Sequence, residues 1–228
     1  MNRNRLKQLP CVLLLVALMP LAPHARQGSQ LARAQQENAR ALRQYTWKSR
    51  TEVRKGGETK SVRLALVRYG ADGALQETPL SATPPPDLPS HGIRGLIARK
   101  KRDDFVETLA ALRALAGSYG ELPPDRMQSF ISGAALTPEM TARDKLVRLQ
   151  GDSVLRPGDS MTLWVDTATR RQRKAEIRTT LDGKPVRVVS EFRDLPQGPT
   201  YAARSVVEYP DKGITLITEN FDHARASR

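Results

Sequence analysis

This sequence predicts an α+β fold: a curved antiparallel β-sheet or incomplete β-barrel, with an N-terminal helix and a helical insertion covering it. Three observations carry that reading. Apolar and polar residues alternate almost without a break from about Lys145 to Phe221, the period-2 mark of strands with one buried and one wet face. Glycine-bearing turn dipeptides separate the alternating runs. The period changes to three and four in only two places, near the N-terminus and in a stretch that follows a proline cluster.

The chain opens with Arg3, Arg5 and Lys7 ahead of an apolar run from Cys11 to Leu21, the pattern of a signal peptide over residues 1–25. The run is well short of the ~18 residues that span a bilayer. Cleavage fits after Ala25, or as late as Ala34, where Ala32-Arg33-Ala34 satisfies the small-x-small rule. Cys11 precedes the apolar run, so it is not placed for lipidation. The expectation is a soluble protein of the periplasm or of the secreted fraction, with a single β-rich domain over residues 30–221 and a short tail over 222–228.

From Gln30 to about Gln44 the residues are helix formers, with Leu31, Ala34, Ala41, Leu42 and Tyr45 roughly on one face. Trp47, Ser49, Thr51 and Val53 then alternate with Lys48, Arg50, Glu52 and Arg54. Gly56-Gly57 separates that run from a second over Lys60 to Tyr69, which predicts a hairpin. Asp72-Gly73 turns the chain into a third candidate strand from Ala74 to Leu80.

Pro84, Pro85, Pro86, Pro89 and Gly92 make a break that is neither helix interior nor central strand. The helical insertion follows, over about residues 94–132. Phe105, Leu109, Leu112, Leu115, Ala116 and Tyr119 recur at threes and fours, predicting an amphipathic helix from about Arg102 to Ser118. A shorter helix after Pro123-Pro124 carries Met127, Phe130 and Ile131. The run Arg99-Lys100-Lys101-Arg102 reads as an exposed basic segment ahead of the long helix, suited to an anionic membrane surface.

The C-terminal meander begins with short runs at Lys145 to Gln150 and Met161 to Val165. Lys174 to Leu181 and Val186 to Arg193 flank Asp182-Gly183, the strongest short-range hairpin signal, which requires positive φ at both residues. Thr200 to Tyr209, a turn at Pro210-Asp211-Lys212-Gly213, and Ile214 to Phe221 complete it. Trp47 and Trp164 both fall in strand patterns, where packing is their expected role.

Composition narrows the chemistry. Cys11 is the sole cysteine and falls within the leader, so disulfides, thiol nucleophiles and thiolate metal sites are not expected. Beyond residue 25 the histidines are His91 and His223, each in a polar segment expected to be exposed. Asp152 and Asp159 flank a loop but lack the further oxygen ligands a cation needs. No catalytic, cofactor-binding or metal-binding residue is therefore assigned, and the protein is expected not to be an enzyme. The net charge of +13 falls to +10 without the three basic residues of the leader. Behind a leader, the anionic partners expected are lipid headgroups or an envelope surface rather than nucleic acid.

The segment Trp164-Val165-Asp166-Thr167-Ala168-Thr169, with the strand Arg171 to Ile177, the hairpin after it and Phe192-Arg193-Asp194, resembles the C-terminal half of the periplasmic lipoprotein-carrier (LolA/LolB-like) superfamily. The order of elements from Gln30 to Phe221 is similar too. The pieces around Tyr45-Thr46-Trp47 and Asp72-Gly73 also resemble uncharacterised secreted bacterial proteins. The superfamily resemblance implies a concave apolar surface that accepts acyl chains, and it transfers no individual residue. The reading it favours is a carrier or sensor that binds a lipid or other apolar ligand between the sheet and the helix of Phe105, Leu109 and Leu112. Alternatives are an envelope interaction protein docking through a basic sheet face and, last, a hydrolase assembled from scattered residues.

Overall fold

The computed structural model describes residues 22–83, 92–140 and 145–226. Helix α1 (Ala22–Leu42) leads into strands β1 (Tyr45–Lys55), β2 (Glu58–Tyr69) and β3 (Leu75–Ala82). Helices α2 (Gly92–Gly120) and α3 (Pro124–Gly133) follow. The remaining strands are β4 (Ala135–Met140), β5 (Lys145–Asp152), β6 (Ser160–Asp166), β7 (Gln172–Leu181), β8 (Lys184–Asp194), β9 (Thr200–Tyr209) and β10 (Ile214–Arg225). The apolar run from Cys11 to Leu21 and the prolines from Pro84 to Pro89 lie outside the described residues.

The ten described strands form one antiparallel sheet, in the order β3-β2-β1-β10-β9-β8-β7-β6-β5-β4. Strands adjacent in the sheet are consecutive in sequence except at one join, where β1 pairs with β10 from Tyr45↔Arg225 to Lys55↔Ile214, and the consecutive β3 and β4 form the two edges. That join fuses the N-terminal hairpin and the C-terminal meander, read separately from the sequence, into one curved and unclosed sheet. Its two edge strands each carry a proline, Pro79 in β3 and Pro138 in β4. A missing N–H there removes a donor from an edge that another chain would otherwise extend. Strand β4 was not anticipated, because Ala135–Met140 shows no alternation.

The turns follow their residues. Asp182 and Gly183 have φ of 51° and 73°, and β7 and β8 pair to the last residue, Leu181↔Lys184. A Cβ added at Gly183 would touch nothing within 4 Å, so only backbone strain opposes a side chain there. Gly183→Val is accordingly expected to cost about 1 kcal/mol or more. An unchanged melting temperature would refute that strain argument.

Register places an apolar row across the inner face. Gly151 pairs with Met161, Met161 with Ile177, Ile177 with Val188, Val188 with Val207, Val207 with Leu216, and Leu216 with Val53. Met161, Ile177, Val188, Val207, Leu216 and Val53 are all buried, and among the described residues no second sheet covers them. Helices do. Leu109, Leu112, Leu115 and Tyr119 of α2 join this core, and Phe130 and Ile131 of α3 join it beside β5. The Phe130 ring lies 3.1 Å from where a Cβ would sit at Gly151, so the glycine makes room for α3. Helix α1 packs on α3 and contributes buried Ala32.

The outer face is ionic. Glu176 pairs with Arg178 and Arg187, Arg187 with Glu208, and Glu219 with Arg50 and, at 4.0 Å, Arg204. Hydrogen bonds from Arg54, Thr59 and Arg50 pull the Glu52 pKa down to about 2. Opposite charges are interleaved along this face.

Candidate functional site

The three candidate ligand-binding residues lie together on α2, facing the sheet. Leu112 is fully buried, Leu109 is buried and Phe105 is half-buried. Their periodicity alone brings this about, since i, i+4 and i+7 share one helical face. The space beneath them is filled: Leu109 and Leu112 belong to the same packed cluster as Met161, Ile177 and Val188.

Polar contacts fix the helix at two points. At its C-terminal end the Tyr119 hydroxyl donates to Asp159 Oδ2 at 2.6 Å and lies 3.1 Å from Thr179 Oγ1. Asp159 is 2% exposed. Its carboxylate also accepts the backbone N–H groups of Val154 at 2.6 Å, Leu155 at 3.0 Å and Arg156 at 2.9 Å. Burial alone would raise its pKa, but these bonds together outweigh burial and hold the group below the usual carboxylate range. Burial, with the Asp159 carboxylate beside it, pushes Tyr119 up to about 12. In mid-helix, Lys212 donates to Thr108 Oγ1 at 2.9 Å and the Lys55 ammonium sits 5.1 Å over the Phe105 ring. Asp159, expected at most to be a poor cation ligand, is thus a buried anchor satisfied by amides and a phenol. Its signal in the sequence was the Pro157-Gly158-Asp159 turn, which folds the carboxylate back onto the preceding amides.

A second concavity, of about 400 Å³, opens between α1 and the end of the sheet formed by β1, β7, β8 and β10. Arg170, Arg171 and Arg225 line it against a single carboxylate, Glu37, with Phe192 and Tyr45 as its larger rings. Asn38 mimics a strand at its wall: its amide donates to the Thr200 carbonyl at 2.8 Å and its oxygen accepts the Thr200 N–H at 2.6 Å. Asp194 ties the floor together, pairing with Arg171 at 3.1 Å and Arg173 at 2.8 Å and accepting the Thr200 hydroxyl at 2.7 Å. The lining runs from Ala34 to Arg225, at opposite ends of the described chain, which is why sequence reasoning missed it.

His223 corrects an expectation. Strand β10 runs to Arg225 rather than Phe221, so His223 lies within the ladder and not in an exposed tail. Its ring stacks on buried Trp47 at 5.7 Å and 14°, and lies 4.0 Å from Tyr201. Burial pushes its pKa below the ordinary value, partly offset by Asp222. The folded pKa lies below the unfolded one, so the associated stability is complete above the unfolded value of about 6.5 and is lost as pH falls below it. Melting at pH 7.5 and 5.5 should show an acid loss in wild type that His223→Gln lacks; equal losses would refute it. His91 lies outside the described residues. The other tryptophan, Trp164, is half-buried, donating to Glu139 Oε2 at 3.0 Å beneath the Lys174 ammonium.

Among the described residues, no group of three or more His, Cys, Asp or Glu side chains is placed to hold a metal ion. No described helix is long and apolar enough to cross a membrane.

No family model matches the sequence. No curated protein matches it either. Solved structures do match. A putative outer membrane lipoprotein-sorting protein domain from Vibrio parahaemolyticus is 12% identical, with a TM-score of 0.46 over 89% of this chain and 94% of that one. A DUF1329 family protein from Desulfovibrio piger is 10% identical, with a TM-score of 0.43 over 89% and 93%. A LolA superfamily protein from Nitrosomonas europaea is 13% identical, with a TM-score of 0.40 over 85% and 94%. The chain is similar in fold to these proteins.

Proposed function

We propose that the protein is a non-enzymatic carrier or sensor of the bacterial envelope, taking a lipid or other apolar ligand against the concave face of the sheet. The observation that supports this reading is the way the inner apolar row is covered. Six strands present buried side chains from Met161 to Val53, and their central cover is one helix that also carries the candidate residues Phe105, Leu109 and Leu112. An acyl chain that took the place of α2 would keep the same sheet surface out of water. The exchange would therefore conserve the sheet's share of the burial energy, about 25 cal/mol for each Å² of apolar area, while Leu109, Leu112 and Leu115 of α2 would lose their partners. What it would break are the contacts of Tyr119 with Asp159 and of Lys212 with Thr108. Helix α2 is on this reading an occupant that a ligand displaces.

A leader that ends at Ala25 fits this arrangement better than one that ends at Ala34. The later cut would remove Leu31 and Ala32, which pack against the core. The mature protein would then be soluble in the periplasm or secreted.

The test is titration of a fluorescent fatty-acid probe at matched salt, because a basic surface attracts acidic probes nonspecifically. Wild type should bind saturably, and Leu109→Ala, which weakens the hold of the helix that the ligand must displace, should bind several-fold more tightly. Mass spectrometry of organic extracts from protein purified without detergent should find a co-purifying amphiphile. Absence of saturable binding by wild type would reject the carrier.

A further inference from the structure

The basic run does not precede the long helix. It lies inside it, because α2 starts at Gly92 and Arg99–Arg102 fall in its third turn. At 1.5 Å per residue the 29 residues of α2 span about 44 Å, and the sheet covers only part of that length. Ile97 and Leu115 are 18 residues apart, five full turns at 3.6 residues each, so they point the same way. Leu115 is 4% exposed and Ile97 50%. The azimuth that is buried in the C-terminal half is therefore open in the N-terminal half. Lys55 over Phe105 and Lys212 on Thr108 mark a rim; before it Gly95 is buried and Ala98 half-buried, while Ile93, Leu96 and Ile97 are exposed on the part of the helix that overhangs.

The overhang has a particular chemistry. Ile93 is 76% exposed and Leu96 61%, and with Ile97 they follow the i, i+3, i+4 spacing of one stripe. Arg99, Lys100, Lys101 and Arg102 come next and are all exposed. They pair with no carboxylate among the described residues, in contrast to the arginines of the outer sheet face. Asp103 and Asp104 follow the run directly, at a rise of about 1.5 Å per residue, on the side towards the rim.

We propose that the first turns of α2 dock on an anionic phospholipid surface, with Ile93, Leu96 and Ile97 inserted among the headgroups and Arg99 to Arg102 at the level of the phosphates. Aliphatic side chains beside long cationic ones are what an interfacial helix requires: the first bury in the acyl boundary, and the second reach phosphate while their methylene stems stay in the apolar layer. Each cation near such a surface raises affinity by about fivefold, within a Debye length. A second copy of this chain is the poorer occupant, since two overhangs would bring eight cations together. The proposal is independent of whether the protein carries a ligand.

Co-sedimentation with vesicles of phosphatidylcholine alone, or mixed with phosphatidylglycerol, tests it. Wild type should partition at least tenfold better onto the anionic vesicles. Combining Ile93→Gln, Leu96→Gln and Ile97→Gln should remove at least tenfold of that binding. Wild type and variant carry the same N-terminus, so the difference belongs to α2. The three positions are exposed, and the melting temperature should not move. Equal binding by the variant would overturn the proposal, attributing attachment to net charge alone. Failure of wild type to prefer anionic vesicles would overturn it too, including the case in which only an acidic protein is bound. If the triple variant melts early, Ile97→Trp replaces it: its added emission must shift to the blue on anionic vesicles, and an unshifted emission overturns the proposal.

Discussion

Asp159→Ala is expected to lower stability by about 3 to 5 kcal/mol. Four donors converge on this carboxylate: the Tyr119 hydroxyl and the N–H groups of Val154, Leu155 and Arg156. Leaving a buried donor unpaired costs about 1 to 3 kcal/mol. Arg156 is exposed and Leu155 half-buried, so water can replace the carboxylate for those two. Tyr119 and Val154 are buried and cannot be rescued that way, which sets the expected size. Asp159→Asn should cost roughly half as much, because Oδ2 accepts three of the four bonds and one oxygen survives. Urea unfolding at unchanged slope measures the difference. The carboxylate's folded pKa is depressed, so its contribution is complete above about pH 4 and is lost as pH falls further. The gap between wild type and Asp159→Ala should therefore stay constant near neutrality and narrow in strong acid. A loss below about 1 kcal/mol would show that the anchor is solvated.

That anchor also marks where the sequence stops being informative. Strands such as Lys184–Asp194 and Thr200–Tyr209 were legible because each has one wet and one dry face, and the turn between β7 and β8 because φ is positive at both Asp182 and Gly183. The pairing of β1 with β10 was not, since nothing local at Tyr45 or Arg225 names a partner 180 residues away. The start of α2 was hidden for a different reason. A helix that overhangs its sheet has no burial period in the overhanging part, so within the helical insertion read from about residue 94 the sequence starts the long helix only at about Arg102, with Arg99 to Arg102 as a basic segment ahead of it. His223 was misplaced because its strand ends in polar residues supported by Trp47 and Tyr201 rather than by the main core. For the candidate site, spacing gave the face of Phe105, Leu109 and Leu112. Whether the space below is open or filled depends on how far the sheet curves, and no run of residues encodes that.

Leu112→Ala is the second large effect expected, a loss of about 3 to 5 kcal/mol. Leu112 is fully buried at the centre of the α2 cover, among side chains from the helix and the inner row of the sheet. Alanine is the better helix former, so any loss reports packing and not propensity. Leu→Ala in cores costs about 2 to 5 kcal/mol, rising with the cavity that remains. The upper half of that range follows from where Leu112 sits: a ten-stranded sheet paired along its length leaves the inner row little freedom to collapse into the gap. Carriage makes an additional demand on this variant. An apolar ligand that binds the folded state raises stability by RT ln(1 + [L]/Kd), so a fatty-acid probe at about 100 times its Kd should return about 2.7 kcal/mol. Thermal melts of Leu112→Ala with and without the probe, at fixed salt, measure this. A large loss of which the probe returns about 2.7 kcal/mol fits a concave face that exchanges a helix for a ligand. A large loss that no apolar ligand repairs would leave α2 as a permanent part of the core and the protein without a ligand space beneath it.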